Sequence, residues 1–181
     1  MIYTTKQLLK KGETEYSIRQ KVKKNVLHQI DRGVYSTDLD NNYRDEVYIS
    51  NKYPSAIITG LSAFYFYDLT DFVPEYFYLA TEQHSFPIRQ DDIKQSYQER
   101  TFFEVGAINK RINKETIRIY DLERLLIELI RLKEKYPKEI YYEVLNSFRK
   151  IKDKIDFYKL NQYIKHFNNK DSLLLKIKEA I

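Results

Sequence analysis

Cysteine is absent from the 181 residues of the chain. That removes disulfides, thiolate catalysis and cysteine-based zinc sites together. Only four glycines are present, too few to build a glycine-rich phosphate loop. Long apolar runs are also lacking, and no segment approaches the roughly 20 continuous apolar residues of a membrane span. The opening stretch "MIYTTKQLLKKG" turns polar almost at once, unlike the basic-then-apolar layout of a secretory leader. A soluble, cytoplasmic protein is expected, with no membrane partner.

Groups that carry chemistry are equally sparse. The three histidines, His28, His84 and His166, stand far apart. None has a second histidine at helical metal-binding spacing, and neither a metal nor another cofactor is expected. Ser62 lies in "GLSAF", which lacks the second glycine of a nucleophile elbow. Asp91 and Asp92 fall in a polar loop, where solvent exposure is the ordinary explanation. The chain is therefore read as a non-enzyme. A nuclease stays open as an alternative, because its acids and lysine can be dispersed in sequence.

What is present is a hydrophobic fraction of 43%, enough for a packed core, and an uneven distribution of charge. Residues 1–36 contain Lys6, Lys10, Lys11, Arg19, Lys21, Lys23, Lys24 and Arg32 against Glu13, Glu15 and Asp31. This end carries the whole net charge of +5, and the remaining chain balances. A neutral body with a concentrated basic end suggests that this end meets a polyanion. The plainer alternative is a solvated face in a chain rich in lysine throughout.

The order of elements sharpens that suggestion. Thr4 can cap a helix from Thr5 whose buried face is Leu8 and Leu9 and whose end is Gly12. Thr14 can cap a second, about Glu15 to Lys24, with Ile18 and Val22 pointing inward four residues apart. Tyr16, Ser17, Arg19, Gln20 and Lys23 are then mostly outward. In "NVLHQIDRGVYS" apolar and polar residues alternate around Asp31-Arg32-Gly33, where glycine can take the positive φ of a hairpin turn. Helix, turn, helix, hairpin is the order of a winged helix-turn-helix, and Thr37 to Asn42 reads as a linker.

Beyond it, "YRDEVYISNKY" predicts a helix ended by Pro54. Strands are predicted at "AIIT", "EYFYLA", "IKQSY", "AINKRI" and "TIRIY", with a helix at "LSAFYFYDL" and a polar turn at "NKET". Asp121 caps a helix in which Leu122, Leu125, Leu126, Leu129 and Ile130 form one stripe. Further helices are predicted over Lys138–Arg149, Phe157–Phe167 after Asp156, and Ser172–Ile181 after Asp171. The fold class is α+β: a winged helix-turn-helix over residues 1–40, then a mixed α/β domain over 41–181 with a helical C-terminal third. The aromatic run "SAFYFYDLTDFVPEYFYLA" invites a base-stacking role. From Tyr53 to Ala80, however, there is no Lys or Arg, and the run reads as core and interface packing.

The layout resembles the AbiEi family of antitoxins, from abortive-infection, type IV toxin–antitoxin systems. The resemblance runs through "YTTKQLLKKG", "IRQKVKKNVLHQIDRGVYS", "YPSAIITGLSAFYFYDLTD" and "IRIYDLERLLIELIR", and covers nearly all of residues 3–135. Many relatives carry another helix before the "YTTKQLL" equivalent; here Tyr43–Lys52 is available to cover Leu8, Leu9, Ile18 and Val22. The resemblance implies a repressor of its own operon that binds inverted repeats in double-stranded operator DNA, where it can self-associate. It also implies that the protein counteracts a nucleotidyltransferase toxin encoded beside it, without a stable complex.

On that reading the helix Glu15–Lys24 enters a major groove, with Arg19 and Gln20 nearest base edges. Tyr16, Ser17, Lys23 and Lys24 hold phosphates, and Arg32 at the wing tip reaches the backbone or a minor groove. The rival reading is a protein-interaction module whose basic helix docks an acidic partner.

Overall fold

A computed structural model of the chain describes residues 1–38 and 44–181. The chain divides into two compact units, Met1–Ser55 with Asn109–Arg118, and Ala56–Ile108 with Ile119–Ile181. Most of the expected linker, and Tyr43 at the start of the expected third helix, lie outside the described residues. Among those described the protein is mixed α/β, with nine α-helices and two sheets.

The first unit begins with a strand absent from the sequence reading, β1 (Ile2–Thr4). It runs into α1 (Thr5–Lys10), α2 (Glu15–Lys23), β2 (His28–Asp31), β3 (Val34–Ser36) and α3 (Asp45–Lys52). Both expected caps are in place. Thr4 accepts from Gln7 N and Thr14 from Ser17 N, and in each case the third helical residue bonds back to the cap amide. These reciprocal bonds satisfy amides that the first turn leaves open. The three strands pair antiparallel in the order β1-β3-β2.

Leu8, Ile18 and Leu27 form a core cluster in this unit, with Tyr3, Val22 and Tyr35 packed against it. Leu9, expected on the buried face, is instead 43% exposed. On so short a helix the neighbour of Leu8 turns about 100° away from it. The helix α3 does join the module, but by packing on β1 and hydrogen-bonding Gln7 through Asn51 at 2.9 Å, not by covering Leu9.

The second unit is built from β4 (Ile57–Ile58), α4 (Gly60–Phe66), β5 (Phe77–Glu82), β6 (Ile93–Gln98), the short α5 (Arg100–Phe103), β7 (Ala107–Ile112), β8 (Glu115–Tyr120) and α6 (Leu122–Arg131). Three further helices, α7 (Lys138–Lys150), α8 (Phe157–Ile164) and α9 (Lys170–Ala180), make the helical C-terminal third. The sheet order is β6-β5-β4-β8-β7, with β5 parallel to β6, β4 parallel to β8 and β4 antiparallel to β5. Most of the β7–β8 hairpin, Asn109–Arg118, belongs to the first unit, where Glu115 accepts from Ile2 N at 2.9 Å.

The leucine stripe of α6 accounts for only half of its burial. Glu123, Arg124 and Glu128 are buried as well, Arg124 completely, because α4, α7, α8 and α9 all pack on this one helix. Arg124 donates to Glu128 Oε1 from Nε at 3.1 Å and Nη2 at 3.0 Å, and from Nη1 to the carbonyls of Phe102 and Val105. Removing one member of such a pair strands the other charge. Arg124→Ala should cost about 3–5 kcal/mol in urea unfolding, and Arg124→Met combined with Glu128→Leu should recover most of the loss. A double variant no more stable than the single one would show that the stranded carboxylate is not the cause.

Candidate nucleic-acid interface

The helix α2 is amphipathic by spacing. Ile18 enters the core, and Tyr16, Arg19, Gln20 and Lys23 recur at steps of three and four, so they share one face. Tyr16 is 72% exposed. Arg19 and Lys23 are exposed and Gln20 is half-buried. Arg19 lies 3.5 Å from Glu15 one turn back, with both side chains largely in water. An ion pair of that kind contributes less than about 1 kcal/mol, so it holds the guanidinium loosely. Lys23 and the C-cap residue Lys24 are exposed and form no ion pair among the described residues. Part of their presence there is structural, since cations in the last turn complement the helix dipole.

Ser17 is placed differently from the other expected contacts. Its Oγ accepts from Thr14 N and donates towards Glu13 Oε2 at 2.7 Å, with the Thr14 carbonyl 2.9 Å away. The hydroxyl proton is thus already committed to the cap. The Glu13 carboxylate also takes the Lys21 ammonium. Hydrogen bonds from Lys21 and Ser17 hold its carboxyl below the usual range. One of the eight cations counted at this end is therefore neutralised locally.

Arg32 is exposed at the turn of the β2–β3 hairpin. Gly33 beside it has φ +73°, and a Cβ there would sit 3.3 Å from Thr5 Oγ1. The Gly33 carbonyl accepts from Thr5 N at 2.8 Å, so the turn is tied to the start of α1. The strand pairing shifts register between Gln29 and Asp31, which bends the hairpin at its tip. The set on α2 and the arginine on the hairpin thus sit on separate elements anchored to one small core.

The anchor of the hairpin is Asp31, which sequence reading left unpaired. Its carboxylate accepts from Lys52 and Tyr48 of α3 and from the Arg32 amide. The hydrogen bonds from Lys52 and then Tyr48 hold its pKa at about 2. Burial pulls the Lys52 ammonium down, but the bonds to Asp31 and Tyr48 outweigh it and leave the group above its ordinary value. Lys52 and Asp31 are 21 residues apart, a distance at which no local pattern signals a pair.

No group of three or more His, Asp or Glu among the described residues could hold a metal ion, and no described helix is long and apolar enough to cross a membrane. Ser62 Oγ accepts from Tyr78 N at 2.9 Å and donates to the Tyr76 carbonyl at 3.4 Å, a structural role.

The Asp31 bonds generate a pH dependence. A carboxyl held below its unfolded value stabilises the fold above about pH 4, and this is lost as pH falls towards 2. Asp31→Asn should lower stability at pH 7 by about 1–2 kcal/mol and flatten the melting temperature between about pH 4 and 2. An unchanged acid profile in the variant would remove Asp31 as the anchor. No protein-family model matches the chain, and no curated protein matches it either.

Proposed function

We propose that the chain is a DNA-binding autorepressor and type IV antitoxin. Its first unit reads operator DNA, and the protein counteracts a nucleotidyltransferase toxin without a stable complex. The observation that carries the DNA half is topological. The order β1-α1-α2-β2-β3 with the sheet order β1-β3-β2 supports the reading of this unit as a winged helix-turn-helix. It leaves a cationic helix face and a basic hairpin tip exposed. The third helix that such a core needs comes from later in the chain as α3, held by Asn51 to Gln7 and by Lys52 to Asp31. The antitoxin half rests on the resemblance to AbiEi proteins set out above.

In this reading α2 is the recognition helix. Arg19 and Gln20 match purine donor and acceptor patterns in the major groove. Tyr16, Lys23 and Lys24 position the helix on phosphates, and Arg32 extends the footprint from the wing. Ser17 contributes through its cap, by fixing where the helix starts. Inverted repeats suit two copies on one operator.

A gel-shift with the region upstream of the operon tests the proposal. Arg19→Ala and Gln20→Ala should each cost about 1–3 kcal/mol and relax discrimination between operator variants. Lys23→Gln, Lys24→Gln and Arg32→Gln should weaken all sequences alike. Each should also reduce the slope of log affinity against log salt by about 1. Undiminished affinity in the Arg19→Ala, Arg32→Ala double variant at moderate salt would overturn the assignment. An acidic protein retained stably without an operator footprint would favour the interaction-module reading. Cleavage of labelled DNA or RNA with divalent metal would favour the enzyme.

A further inference from the structure

The aromatic run of the sequence contains no cation of its own, but the fold supplies cations to it from elsewhere. Within the second unit a cleft of about 690 Å³ is lined by Tyr76 and Tyr78 from the run. Lys94 and Tyr97 of β6, and Arg131, Lys135 and Tyr136 from the end of α6 and the turn after it, complete the walls. The Lys94 ammonium stands 3.9 Å from the centre of the Tyr76 ring. The Tyr136 ring packs tilted against the buried Phe64, with ring centres 5.7 Å apart. Such volumes suit a small ligand, about 300–1,000 Å³ being usual.

Two further features give the cleft polarity. Its floor holds Glu128, only 2% exposed, which accepts from Thr59 Oγ1 at 2.6 Å and from Arg124. Each carboxylate oxygen has two lone pairs, so Glu128 can accept from one more donor. On another side lies the first turn of α7, with Pro137 and Ile140 in the lining. Pro137 makes no side-chain cap, and Tyr141 N is the amide that returns to the Pro137 carbonyl. The amides before it project from the helix start, where the dipole favours an anion. Lys135 stands two residues before that capping proline.

We propose that this cleft binds a nucleoside monophosphate, with the base between the tyrosines and the phosphate at the start of α7 near Lys94, Lys135 and Arg131. Aromatic faces accept any base, and Glu128 accepts a hydrogen bond from an amino or imino N–H on the base edge. Glu75 and Glu99 also line the cleft and oppose negative charge, which favours one phosphate over a chain of them. This proposal does not depend on operator binding, because every lining residue belongs to the second unit.

The test uses the full chain and the four common ribonucleoside monophosphates, followed by saturation-transfer NMR and calorimetric titration. Saturable binding with transfer to base protons is expected. Lys94→Ala with Arg131→Ala should weaken it at least about tenfold, and Lys135→Ala should weaken it less. All three substitutions are at exposed positions, and an unchanged melting curve verifies the fold. Arg19→Ala with Arg32→Ala should leave nucleotide affinity as it was. Absence of saturation by all four nucleotides up to about 10 mM overturns the proposal. So does inorganic phosphate binding as tightly as the nucleotides, or affinity untouched by the Lys94 and Arg131 changes.

Discussion

A guanidinium sealed from water requires a partner for nearly every one of its donors, and that requirement organises the second unit around Arg124. Its side chain is wholly enclosed. It spends two donors on Glu128 and two bonds on the carbonyls of Phe102 and Val105, and it stacks 4.5 Å above the Tyr120 ring. Gly106 fits against it only because it has no side chain, since a Cβ would lie 2.4 Å from Arg124 Cβ. The Arg124 amide bonds Asp121, and Asp121 accepts from Tyr163 at 2.9 Å and lies 2.8 Å from Lys159. Lys159 reaches on to Glu123. One ionic cluster thus fixes α5, β8, α6 and α8 relative to each other, and through Glu128 and Thr59 it reaches the end of β4. Apolar residues could fill the same space without these directional demands. What the cluster adds is orientation, and Glu128 is oriented into the cleft by it.

The first unit solves a smaller version of the same problem. The cluster of Leu8, Ile18 and Leu27 is small for a module with a three-stranded sheet, and small modules gain stability from added elements. The element added is α3, which buries Val47 and Ile49 and is tied by half-buried polar side chains: Asn51 to Gln7, and Lys52 and Tyr48 to Asp31. Because Asp31 immediately precedes Arg32 and Gly33, the same bonds that recruit α3 also set the hairpin turn.

Local signals were readable from sequence, and non-local ones were not. Thr4, Thr14, Asp121 and Asp156 each act as caps because a cap bonds an amide two or three residues on. Gly33 takes positive φ for an equally local reason. By contrast β1 is a strand only because β3 lies beside it. The four-residue α5 is too short to show a period. Asp171 resembled a cap, but α9 begins one residue earlier, at Lys170. The burial of Arg124 and the delivery of Lys94, Lys135 and Arg131 to the tyrosines depend on segments brought together by the sheet and its helices, which no window of sequence contains.

The basic end shows why counting charge differs from reading it. Of the eight cations in residues 1–36, Lys21 is held by Glu13 and Arg19 is loosely paired to Glu15, while Lys11 rests 3.9 Å from the centre of the Tyr3 ring. A cation already held by a carboxylate must give up that bond before it meets a phosphate, which offsets part of the gain. Lys6, Lys10, Lys23, Lys24 and Arg32 are exposed and bear no such cost, and each can release a counterion when it meets a phosphate. The effective positive charge of the module is therefore smaller than its formal value. It lies on Lys6 and Lys10 of α1, at the end of α2 and at the hairpin tip.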